Sequence, residues 1–145
     1  MTGYTPPTSG KVNIGGHDII KNSIDARRLI GYLPESVPLY TDMTVRDYLK
    51  YMGSLRGMNK NISKRVDEVI SLTSLNQYKD VLISKLSKGY RQRTGIAQAI
   101  LHKPKILILD EPTIGIDPVQ VVETRKLIQN LGEDHTLILL SLIHI

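Results

Sequence analysis

Four consecutive apolar residues, Ile106-Leu107-Ile108-Leu109, run directly into an acidic pair, Asp110-Glu111. A stretch with no polar face does not fit a sheet with one wet side, where apolar and polar residues alternate. It fits a strand buried on both faces, as in a parallel sheet covered by helices. A second apolar stretch, Thr136–Leu140, follows after a segment in which Pro118 suits the first position of a helix running to Leu131. Strand, helix and strand in this order make a βαβ unit, and the chain is therefore expected to be α/β.

Upstream, the pattern changes to helical spacing. Val45, Tyr48, Leu49, Met52 and Leu55 recur on one face of a helix. Thr44 is its expected N-cap, with Asp47 as a weak capping-box partner, and Gly57 ends it. Ile62, Val66, Val69, Ile70 and Thr73 mark a second helix. Ser87 is placed to cap a third, running to about Leu101 ahead of Pro104. Nearer the start, Pro6, Pro7, Ser9 and Gly10 read as turn, and Lys11–Ile14 as a short strand closed by Gly15-Gly16. Arg28–Leu33 reads as a strand stopped by Pro34.

Composition excludes several function classes. The 145 residues contain no cysteine, which removes disulfides, thiol catalysis and zinc-thiolate sites. No apolar run approaches the ~20 residues of a membrane-spanning helix. At 41% hydrophobic and 23% charged the chain is that of a folded domain rather than a disordered one. The net charge is +5, and the densest basic cluster, Arg91 to Arg93, is read as solvated surface rather than a nucleic-acid patch. His17, His102 and His135 stand in no partner pattern and are expected at the surface.

The acidic pair carries the chemistry. Ligands of α/β proteins sit at the carboxyl ends of parallel strands. Side chains alternate along extended backbone, so Asp110 and Glu111 need not do the same job. One can hold magnesium, which takes oxygen ligands and phosphate partners. The other can polarise a water for attack on phosphorus. Taken alone, the pair fits an ordinary polar strand end equally well.

Its surroundings decide between the two. Ile106–Asp110-Glu111 followed by Pro112-Thr113 and Gly115-Ile116-Asp117-Pro118 resembles the Walker B strand and D-loop of ABC-type ATPases. Leu86-Ser87-Lys88-Gly89-Tyr90-Arg91-Gln92-Arg93 resembles the ABC signature, usually Leu-Ser-Gly-Gly-Gln-x-Gln-Arg, with Lys88 and Tyr90 departing from the commonest residues. The order and spacing of the two motifs are those of the family. In physical terms Ser87 offers a hydroxyl and Gly89 a close-approaching backbone N–H at a helix N-terminus, a ready anion site. Ile30-Gly31-Tyr32-Leu33-Pro34-Glu35 falls where the family has its Q-loop, with Glu35 for the usual Gln, a pattern similar to an ABC-2-type branch.

The resemblance implies a partial P-loop NTPase core over residues 1–139 with a helical subdomain at about 45–101. It implies ATP and magnesium as cofactors. Asp110 would hold the metal, Glu111 would act as general base, and Glu35 would sense both metal and permease. Ser87 with Gly89 would complete the ATP site of a second subunit, and Asp117 would lie at the dimer interface. The implied function is ATP hydrolysis driving transport through a membrane permease. The partners would be that transmembrane permease and a second nucleotide-binding domain. The location would be peripheral, on the cytoplasmic face of the membrane, with no nucleic acid involved. ABC-type ATPases that act on DNA insert long coiled coils before the signature. Only about fifty residues separate Glu35 from Ser87, too few for such coils.

The phosphate-cradling motif Gly-x-x-x-x-Gly-Lys-Ser/Thr is absent from these residues. Gly10-Lys11 is a decoy: Thr5 stands in place of the first Gly, Val12 in place of the metal-binding hydroxyl, and a strand is expected to follow. The chain is expected to begin inside the domain, and the polypeptide by itself to be catalytically inactive. At the other end, family members follow this strand with Ser-x-His. Here His144 comes one position later after Ser141, which reverses its side-chain direction in extended chain and argues against a switch histidine. Leu-Ser-Leu-Ile-His-Ile is encodable by a transposon-end adapter sequence, and residues 140–145 are expected to be a sequence artefact.

Overall fold

A computed structural model describes residues 13–14, 17–18, 29–34, 39–113, 115–133 and 135–140. The sequence readings at Lys11, Gly15-Gly16, Arg28, Glu35 and His144 lie outside these residues.

Two short strands, β1 (Asn13–Ile14) and β2 (His17–Asp18), pair antiparallel. Strand β3 (Ile30–Leu33) ends at Pro34, as a residue without an N–H requires. The helices α1 (Val45–Leu55), α2 (Ile62–Leu72) and α3 (Lys88–Ile100) follow. Strand β4 (Ile106–Asp110), helix α4 (Pro118–Leu131) and strand β5 (Thr136–Leu140) complete the βαβ unit.

The main sheet has the order β3-β4-β5 and both pairings are parallel. Ile30 stands opposite Ile106 and Leu33 opposite Leu109 on one side of β4, while Asp110 stands opposite Leu140 on the other. The alternation expected of a doubly covered strand is present. Leu107 and Leu109 are fully buried in the main core with Leu33, Ile96 and Ile100, whereas Ile108 packs with Ile30 on the opposite face. All the described residues Leu107, Ile108 and Leu109 are 2% exposed or less, which explains why the run tolerates no polar residue.

Local chemistry sets the helix ends. Thr44 Oγ1 accepts the Asp47 N–H at 3.2 Å at the start of α1. Asp117 Oδ1 accepts the Gln120 N–H at 2.9 Å at the start of α4, where Pro118 needs no acceptor. Helices α1, α2 and α3 pack on one another through Val45, Tyr48, Leu49, Val66, Val69 and Ile70, all buried. Two 3-10 turns, Asn76–Tyr78 and Ile83–Lys85, link α2 to α3 and carry no periodicity that a sequence reading can use. Among the described residues no helix is long and apolar enough to cross a membrane.

Helix α3 lies against β3 with no side chain between them at Gly31. A Cβ there would collide with the Ala99 carbonyl oxygen and lie 2.9 Å from Pro104 Cγ. The far end of α3 is held by Arg65, whose Nε and Nη2 donate to the carbonyls of Leu101 at 2.9 Å and Ile100 at 2.7 Å. This places a cation on the negative end of the helix dipole.

Candidate phosphate-facing site

The N-terminus of α3 and the loop leaving β4 meet side by side. Ser87 caps α3, its Oγ accepting the Tyr90 N–H at 3.3 Å. Asp110 closes β4 and is half-buried, and Glu111 follows with φ +49°. That left-handed conformation is uncommon for a residue with a side chain. The chain therefore leaves extended geometry at Glu111, and the strand alternation expected to separate the two acids does not reach it; the turn separates them instead.

Two contacts join the motifs directly, and a third reaches the signature from α4. Gln92 Nε2 donates to the Pro112 carbonyl at 3.2 Å in a buried setting. The Lys88 side chain crosses Gly115, where φ is +72° and a Cβ would collide with the ammonium nitrogen and lie 3.0 Å from Cε. Gln120 Nε2 lies 3.4 Å from Ser87 Oγ as donor, and the same carboxamide fills the space a Cβ on Gly89 would need. A side chain at Gly89 would have to displace the Gln120 carboxamide from this position. Neither Lys88–Gly115 nor Gln120–Ser87 is visible in sequence, because 27 and 33 positions separate the partners.

The signature arginines depart from expectation. Arg91 donates from Nε to the Ile83 carbonyl at 3.2 Å and from Nη2 to the Ser84 carbonyl at 2.9 Å. Arg93 is 5% exposed, pairs with Glu123, and lies with its guanidinium carbon 5.0 Å from the Tyr90 ring centroid. The cluster is a set of structural clamps and not a solvated patch. Tyr90, in place of the family's usual Gln, stacks on Tyr78 at 4.2 Å between centroids. Its hydrogen bond to Tyr78 raises the phenol above its ordinary value.

Two histidines also differ from the surface reading. His102 is half-buried and donates from Nε2 to the Ile30 carbonyl at 2.8 Å, joining the end of α3 to β3. Burial, and then the positive charge of Arg56, push it down from 6.5 to about 4. His135 Nδ1 likewise meets the Pro104 carbonyl at 2.7 Å. Asp117 is exposed and caps α4. Glu35 lies outside the described residues.

Magnesium commonly takes one or two protein carboxylates and fills its octahedron with phosphate and water oxygens. The Asp110 carboxylate at the end of β4 is an oxygen donor of the kind that mode uses.

A sequence profile of the family described as ABC transporter matches residues 1–114. The chain is 37% identical over 145 residues to the bacitracin transport ATP-binding protein BcrA of Bacillus licheniformis, covering 100% of this chain and 47% of that protein. It is 34% identical over 142 residues to the probable multidrug ABC transporter ATP-binding protein YbhF of Escherichia coli, covering 97% and 25%. Among solved structures, CbiO1 of Clostridium perfringens, part of the ABC transporter complex CbiONQ, superposes with a TM-score of 0.81 at 29% identity over 96% of this chain and 59% of that one. The chain thus spans about half the length, or less, of the curated relatives named.

Proposed function

The chain belongs to the ABC transporter family, and on that footing we propose that it forms the signature and Walker B portion of a nucleotide-binding domain that hydrolyses ATP to drive transport through a membrane permease. The observation that carries this reading is the buried Gln92–Pro112 bond, which sets the Ser87-capped helix beside the acidic turn after β4. Two such chains facing each other would each offer Ser87 and Gly89 to a nucleotide held by the other. Asp117, exposed beside the same turn, would lie at their interface.

Asp110 is assigned to the metal and Glu111 to the attacking water: its carboxylate takes up the water's proton as the oxygen bonds to the γ-phosphorus and the bond from that phosphorus to the β,γ-bridging oxygen breaks, releasing ADP and phosphate. Bound magnesium would supply charge neutralisation at the phosphate oxygens. Glu35 is assigned to the metal and to communication with the permease. The domain would work at the cytoplasmic face of the membrane, beside its transmembrane partner.

The test is Glu111→Gln in the complete nucleotide-binding domain. Turnover should fall ~10²–10⁴-fold, the usual range for general-base assistance, with ATP still bound. Wild-type turnover in that variant would place water activation elsewhere.

A further inference from the structure

Gln120 belongs to neither motif, yet it touches both. Its backbone N–H donates to Asp117 Oδ1 at 2.9 Å, and its carboxamide Nε2 donates to Ser87 Oγ at 3.4 Å. Ser87 Oγ also accepts the Tyr90 N–H at 3.3 Å. A serine hydroxyl has two acceptor positions and one proton. With both acceptor positions taken, the proton is the only hydrogen-bonding capacity that the hydroxyl retains.

We propose that Gln120 is a positioning residue, which occupies the acceptor side of the Ser87 hydroxyl so that Ser87 acts as a proton donor to a phosphate oxygen of the nucleotide presented by a second copy. The inference rests on the functional reading above and extends it. A ligand phosphate is acceptor-only when fully ionised, so a serine poised to accept would be useless there. Gln120 also couples the two motifs: the side chain that orients Ser87 hangs from the backbone that Asp117 caps. Its carboxamide fills the space above Gly89 that a side chain there would take.

Two substitutions in the complete domain test this. Gln120→Met keeps the length and the packing above Gly89 but donates nothing. Gln120→Glu keeps the shape, but its carboxylate can only accept, which turns the Ser87 proton inward. The readouts are the Mg-ATP concentration for half-maximal turnover, ATP-driven dimerisation in a Glu111→Gln background, and nucleotide affinity of the monomer, with Ser87→Ala as reference. Gln120→Met should raise the half-maximal concentration about 3–10-fold, the worth of one hydrogen bond, and Gln120→Glu should raise it further. Monomer affinity should not move. Combining Gln120→Met with Ser87→Ala should cost no more than Ser87→Ala alone, because both act through one hydroxyl. An unchanged Gln120→Met, a fully additive double variant, or tighter dimerisation in Gln120→Met would overturn the inference while Ser87→Ala still weakens assembly. A silent Ser87→Ala would instead overturn the functional reading, and this inference with it.

Discussion

Gln92 Nε2 and the Pro112 carbonyl oxygen are 3.2 Å apart, and both residues are buried. This one bond ties the signature helix to the turn that follows the acidic pair. The loop geometry is consequently linked to the helix position.

Gln92→Leu should therefore destabilise the fold. The leucine fills comparable space but leaves the Pro112 carbonyl buried without a donor, at a cost of about 1–3 kcal/mol. Urea titration of the complete domain reads this as a lower midpoint. An unchanged midpoint would mean that the carbonyl finds another partner.

Gly31→Ala should separate α3 from β3. The added methyl meets a backbone carbonyl at Ala99, which cannot turn aside as a side chain can. Overpacking of this kind costs about 1–3 kcal/mol. Thermal unfolding should shift down, and ATP turnover should fall with it because the signature helix moves.

His102 should make stability pH-dependent. In the folded chain it is neutral down to about 4, while in the unfolded chain it takes its proton near 6.5. Between those values the unfolded state binds more protons, so stability falls as pH drops from 6.5 toward 4 and is unaffected by this group above 6.5. The variant His102→Gln should show a shallower decline over that window in denaturant titrations at stepped pH. An identical slope would remove His102 from the acid response.

The 145 residues by themselves should hold ATP weakly. They contain no Gly-x-x-x-x-Gly-Lys-Ser/Thr, the element that gives most of the backbone N–H contacts to the β- and γ-phosphates. Calorimetric titration with Mg-ATP should give a Kd no tighter than about 1 mM, near 4 kcal/mol. Micromolar binding would assign phosphate contacts to Gly10-Lys11 or to residues not suspected of them.

The elements legible in sequence are those set by near neighbours. Helices α1 and α2 follow from one apolar face each, and Thr44, Ser87 and Pro118 mark helix starts because such signals need only the next few residues; the cap at Asp117 is seen only in the structure. Strand β4 declares its double burial in four consecutive side chains, and the motifs around it identify the family. The tertiary structure alone decided what depends on distant partners. Arg91 and Arg93 look like surface charge until the Ile83 and Ser84 carbonyls and Glu123 are brought to them. His102 looks like an exposed histidine until the Ile30 carbonyl, 72 positions away, accepts a hydrogen bond from its Nε2. The acidic pair reads as continuous strand until the chain turns at Glu111, a conformation whose strain only surrounding packing can hold. Gln120 has no local signature at all. Its contact with Ser87 exists because the βαβ crossover returns α4 to the start of α3, and no sequence window contains both ends of that path.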